Sequence, residues 1–135
     1  MRYIVRDLPL EAIHKEAFKA AEASQCARDQ GKYWEMYNRL FANQRQLGRE
    51  DLTRHAQALG LDANAFQRCM DSGKHAEAVR KDLAEAQRLG ITGTPTFFIG
   101  VAGPNDAEMK GIKLVGAQPY AAFKAAIDRL LAASK

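Results

Sequence analysis

The stretch Ile91-Thr92-Gly93-Thr94-Pro95-Thr96-Phe97-Phe98-Ile99 is where the chain changes character, from helical spacing to extended runs. A proline directly ahead of a buried strand removes one backbone donor and fixes how the chain enters that strand. Thr96–Ile99 is β-branched and aromatic and reads as a strand, and Ile112-Lys113-Leu114-Val115 reads as a second. Between them Gly103-Pro104-Asn105-Asp106 supplies turn chemistry, so the two runs form an antiparallel hairpin with a long loop. Pro119 suits the first position of a final helix that continues through Phe123, Ile127, Leu130 and Leu131.

Working outward toward the N-terminus, the pattern is almost wholly helical. Helices are expected over about 11–30, 32–43, 50–59, 63–71 and 74–89. Gly31, Gly60, Ser72-Gly73 and Gly90 end four of them, while Asp62 caps the fourth. Ahead of them, Arg2–Asp7 reads as a short buried parallel strand through Tyr3, Ile4 and Val5, stopped by Pro9. The expected order is one strand, five helices, a two-stranded hairpin and a last helix. With no internal repeat or linker, residues 1–135 read as one domain: a helical part over about 11–90, then the Thr-Pro strand, hairpin and final helix over about 91–133.

Composition narrows the functional classes. Hydrophobic residues make up 47% of the 135, within the range of chains that build a core. No apolar run reaches the length of about 18 residues needed to cross a bilayer. The start, Met1-Arg2-Tyr3-Ile4-Val5-Arg6-Asp7, lacks the apolar core of a signal peptide. The net charge is +4, but 20 basic residues are interleaved with 16 acidic ones, as in Arg80-Lys81-Asp82. Nucleic-acid binding calls for a concentrated basic stripe, so neither a nucleic acid nor a membrane is expected as partner.

The segment around Thr94-Pro95, entered from a helix and followed by a hairpin and a helix, is similar to the cis-proline loop of thioredoxin-fold proteins. Two further stretches narrow the likeness. Val5-Arg6-Asp7-Leu8-Pro9-Leu10 and Ala21-Glu22-Ala23-Ser24-Gln25-Cys26-Ala27-Arg28-Asp29-Gln30-Gly31-Lys32-Tyr33-Trp34-Glu35-Met36, together with Cys69-Met70-Asp71-Ser72-Gly73-Lys74, resemble DsbA-like disulfide oxidoreductases in colinear order over nearly the whole chain. The resemblance implies an α/β, thioredoxin-like fold of DsbA type with a helical insertion. It also implies thiol–disulfide exchange on protein substrates, with no cofactor. Gly93, Thr94 and Pro95 would bind the substrate, the residue before the proline offering its N–H and C=O to an extended peptide.

In that family a strand and a Cys-x-x-Cys at a helix start precede the segment matching Arg2–Leu10, and the helix lowers the pKa of the first cysteine. Here that region is absent, so no catalytic residue is assigned, and the domain is expected to be incomplete, missing its first central strand and inactive in this form. A fragment or misassigned start, a truncated paralogue and a separate chain supplying the missing part all remain open. The unpaired strand edges would be closed by internal repacking or by a homodimer completing the sheet. A non-catalytic peptide-binding or assembly module is the alternative function, and a glutathione-dependent isomerase or transferase a more distant one. The family resemblance suggests a periplasmic or extracytoplasmic location.

Cys26 and Cys69 lie on different predicted helices, at the two ends of the insertion. Some DsbA-like proteins carry a second, structural disulfide at similar places, which makes this pair a structural disulfide candidate, with two buried thiols as the alternative. His14, His55 and His75 lack the convergent spacing of a metal site and are expected to be exposed or capping, so no metal is assigned. Tyr33, Trp34, Tyr37 and Phe41 fall at helical spacing and read as a core stripe, with a peptide groove as the alternative.

Overall fold

Alanine recurs at Ala17, Ala20, Ala21, Ala23 and Ala27, a composition that favours helix and leaves room for close packing. In the computed structural model, which describes residues 1–103 and 109–134, this run is helix α1, Ala17–Arg28. It starts later than the sequence suggests, because residues 11–16 form turns. There follow α2 (Tyr33–Ala42), α3 (Arg49–Ala58), α4 (Ala63–Ser72), α5 (Ala76–Arg88), β1 (Thr96–Ala102), β2 (Met109–Val115) and α6 (Tyr120–Ala133). The Gly103–Asp106 turn expected from sequence lies, beyond Gly103, outside the described residues.

The chain divides into two compact units, Met1–Gly90 and Ile91–Lys135. In the first, α1 is the central helix and packs on α2, α3, α4 and α5. Its residues Glu22 to Ala27 are buried in an unbroken run, as suits a helix surrounded by others. The core joins Ala23, Cys26 and Ala27 of α1 to Met36 and Leu40 of α2, Leu52 and Ala56 of α3, Leu61, and Phe66 of α4. Glu22 is the exception to apolar burial: it is 1% exposed, and Lys19 Nζ stands 2.7 Å from its Oε2 as an ion pair without hydrogen-bond alignment. Asp62 caps α4 by accepting from Ala65 N–H at 2.9 Å, and Gln30 holds the backbone N–H of Asp62 from the end of α1.

Arg2–Asp7 is not a strand, which corrects the sequence reading. Among the described residues no strand pairs with it, and Tyr3 and Ile4 are exposed instead of buried. Its polar groups turn to helices: Asp7 N–H donates to Asp82 of α5 at 2.9 Å, and Asp7 Oδ2 accepts from Gln25 of α1 at 2.8 Å. The second unit is an antiparallel hairpin with α6 packed on β1. Thr96 faces Val115 and Ala102 faces Met109 across the ladder, and Phe97 meets Phe123 of α6 edge-on at 4.9 Å. At the Gly100–Gly111 pair the strands approach so closely that a Cβ on Gly111 would sit 2.2 Å from the Ile99 oxygen. Among the described residues the sheet holds two strands.

Candidate functional site

In the hairpin unit, the chain enters β1 through Gly93-Thr94-Pro95. The Thr94–Pro95 peptide bond is cis, and both residues are exposed. The turn is pinned on either side of Thr94. Thr96 Oγ1 donates to Gly93 O at 2.8 Å, and Gly116 N–H donates to Pro95 O at 2.8 Å. Among the described residues no hydrogen bond reaches the backbone N–H or C=O of Thr94. A donor and an acceptor thus stand exposed on a fixed turn, the arrangement by which an extended chain is held edgewise.

In the helical unit, α1 and α4 bring Cys26 and Cys69 together as a disulfide with Cα atoms 5.9 Å apart. Cys26 is buried in the core, whereas Cys69 is partly exposed. Gly73 follows α4 at φ +63, a left-handed turn that returns the chain so that Lys74 and His75 reach the end of α1. There Asp29 Oδ2 takes Lys74 Nζ at 2.7 Å and His75 Nε2 at 2.9 Å. Burial by itself pushes the Asp29 carboxyl up, but the bonds from Lys74 and His75 outweigh it and hold the group below the ordinary carboxylate range. The same oxygen lies 3.8 Å from Cys69 Sγ; a bonded sulfur has no hydrogen to donate, so this is a close approach only. A ring nitrogen of His75 and the two sulfurs lie within 4.8 Å of one another, yet sulfurs bonded together offer no thiolates to a metal ion.

Sequence reasoning did not find the Asp29–Lys74–His75 cluster. One signal was present: Asp29 follows Cys26 by one helical turn and so shares its face. His75 carried none, because only the left-handed Gly73 turn brings it to α1. His14 is exposed, but His55 is 3% exposed, against the expectation for it. Its Nδ1 accepts from Arg39 Nε at 3.0 Å and its Nε2 lies 2.9 Å from Gln46 O, so burial is matched by two polar partners.

The aromatic stripe of α2 divides. Tyr33 is buried beside Met36 and Leu40, while Trp34 is 45% and Phe41 60% exposed. This corrects the core reading for Trp34 and Phe41, because the stripe runs off the buried face of the helix. Tyr3 stacks on Trp34 at 5.9 Å, and Arg2, Tyr3, Tyr33 and Trp34 are among the residues around a surface cavity of about 460 Å³. Burial, and then the charge of Asp7, push the Tyr33 hydroxyl up to about 12, so it stays protonated as a donor.

Five helices followed in the chain by a Thr-Pro turn, a hairpin and a helix that backs it give the element order of an α/β domain of thioredoxin-like type. The chain belongs to the DSBA-like thioredoxin domain family, whose model matches residues 5–128. It is similar to proteins named as Na(+)/H(+) antiporters. One from Salinispora tropica is 39% identical over 99 residues, 73% of this chain and 15% of the relative. Another, from Mycobacterium sp. (strain KMS), is 40% identical over 110 residues, 78% of this chain and 18% of the relative. A third, from Herminiimonas arsenicoxydans, is 41% identical over 99 residues, 73% of this chain and 16% of the relative. The chain therefore spans less than a fifth of the length of these relatives. No solved structure matches it. No described helix is long and apolar enough to cross a membrane.

Proposed function

We propose that these residues are the substrate-engaging part of a protein thiol–disulfide exchange domain, with Gly93, Thr94 and Pro95 holding an extended peptide. The observation that carries this reading is that Thr94 is an exposed residue whose backbone N–H and C=O have no hydrogen-bond partner among the described residues, on a turn pinned at Gly93 and Pro95. Family membership supports the substrate class, proteins with thiols or disulfides. The two cysteines present are bonded to one another on separate helices and are not spaced as Cys-x-x-Cys. On this reading the Cys26–Cys69 pair does not run a Cys-x-x-Cys redox cycle, and the part played by these residues is binding.

Titration of isotope-labelled protein with an unfolded, cysteine-containing peptide tests the reading by NMR. The Gly93 and Thr94 amides are expected to shift first, and shifts confined to residues 1–90 would overturn it. Thr96→Val deletes the hydroxyl bond to Gly93 O, worth about 1 kcal/mol, and is expected to weaken peptide binding roughly fivefold. Insulin reduction by the chain alone is expected at background.

One observation favours a second reading, an assembly module. β1 pairs only with β2 among the described residues, so its other edge is available to a second copy. Light scattering separates the two: a stable dimer mass supports assembly, and a monomer leaves peptide binding. The antiporter names of the relatives support a further proposal, that this module works alongside a membrane transporter, which pull-down from membranes would test.

A further inference from the structure

The Cys26–Cys69 disulfide sits in surroundings that a purely structural crosslink does not require. Both cysteines line a surface cavity of about 420 Å³ together with Arg68 and Lys74, inside the range of about 300–1,000 Å³ typical of small-molecule sites. Arg68 is exposed and has no ion pair among the described residues, so it stands at the cavity as an uncommitted cation. Lys74 adds a second cation, tied to Asp29. Cys26 is enclosed by the core while Cys69 is partly exposed, so the two sulfurs differ in access.

We propose that this cavity admits an anionic low-molecular-weight thiol that exchanges with the disulfide at Cys69. The carboxylates of the thiol face Arg68 and Lys74, and its thiolate attacks Cys69 Sγ in line with the S–S bond. A bond forms between the two sulfurs, the Cys26–Cys69 bond breaks, and its electron pair leaves on Cys26 Sγ. His75, within 4.8 Å of both sulfurs and held by Asp29, gives that sulfur its proton. A second thiol then attacks the small-molecule sulfur of the adduct, releasing Cys69 as thiolate and a small-molecule disulfide. Two thiols are oxidised and one protein disulfide is reduced. The charged groups facing the sulfurs are Asp29 at the end of α1, Arg68 on α4, and Lys74 and His75 in the turn after it. This inference rests on the helical unit, so failure of peptide binding at Thr94 would leave it standing.

Reduced glutathione is the probe. The oxidised 135-residue protein, folded in native buffer, is incubated with glutathione, quenched with an alkylating reagent and weighed intact. The expected product carries glutathione on Cys69 and the alkyl group on Cys26. In Cys26→Ser, whose Cys69 is a free thiol, oxidised glutathione replaces the reduced form as probe and is expected to give the Cys69 adduct with release of one reduced glutathione. Arg68→Glu is expected to slow reaction with glutathione about tenfold and to leave the rate with uncharged mercaptoethanol unchanged, while Arg68→Lys restores it. His75→Gln is expected to slow reaction with both thiols alike, because it removes the proton donor to Cys26 Sγ and not the anion contact. The proposal is overturned if the bond opens only in denaturant, if the adduct forms on Cys26, or if Arg68→Glu slows both thiols equally or neither. Circular dichroism of each variant ensures that only folded proteins are compared.

Discussion

Asp7 ties the first segment to two helices, its carboxylate accepting from Gln25 of α1 and its backbone N–H donating to Asp82 of α5. Burial pushes its pKa up and the nearby Asp82 adds to that, against the hydrogen bond from Gln25. A carboxyl whose folded pKa lies above its unfolded value contributes stability below the unfolded pKa and loses it as pH rises through the folded one. At neutral pH the charged Asp7 therefore costs stability. Asp7→Asn keeps an oxygen for Gln25 and is expected to raise the melting temperature at neutral pH, with the gain vanishing toward about pH 3. Thermal melts across that range check it, and an equal gain at every pH would refute the electrostatic account. The cap of α4 gives a second prediction. Asp62→Ala frees the Ala65 N–H and is expected to cost about 1 kcal/mol in chemical denaturation. Asp62 was readable as a cap because it directly precedes a helical pattern. Asp7 was not readable as a link to α1 and α5, since Gln25 and Asp82 are remote in sequence.

Among the elements, the hairpin is the most constrained. Gly111 faces Gly100, and a side chain there would enter the Ile99 carbonyl. Gly111→Ala is expected to destabilise the hairpin by about 1–3 kcal/mol through overpacking. Earlier loss of the Phe97–Phe123 contact on heating, followed by NMR, measures this. The helices after α1 and the two strands were legible, because spacing, caps and glycine stops agreed within each segment. The Arg2–Asp7 segment was not. Its β-branched and aromatic residues have strand propensity, but a strand exists only with a neighbour to pair with, and here side chains from α1 and α5 take its polar groups. The α2 stripe failed for a related reason. Helical spacing lines up Trp34, Tyr37 and Phe41, yet only contact with other helices decides that Tyr33, Met36 and Leu40 face inward.

For the whole molecule, the disulfide is the strongest single restraint. It closes a loop with a sequence separation of 43, and the chain-entropy relation gives about 4 kcal/mol for that length. Denaturation of the Cys26→Ala/Cys69→Ala variant, followed by fluorescence of Trp34, is expected to show a loss of that size in the helical unit. A loss below about 1 kcal/mol would mean that the α1–α4 packing around Phe66 already holds the ends together. The two units carry different parts of the chemistry: the helical one holds the disulfide, and the hairpin one the Thr94 turn.

The order of the elements after the first segment, the Thr-Pro entry to a hairpin and the family were determined by the linear chain, because spacing, caps and turn residues act over a few neighbours. The tertiary structure alone decided that Asp29, Lys74 and His75 gather beside the sulfurs, that His55 is buried against Arg39 and Gln46, and that the first segment has no strand partner among the described residues. Those outcomes depend on which helix faces which, a matter of long-range packing that no local pattern encodes.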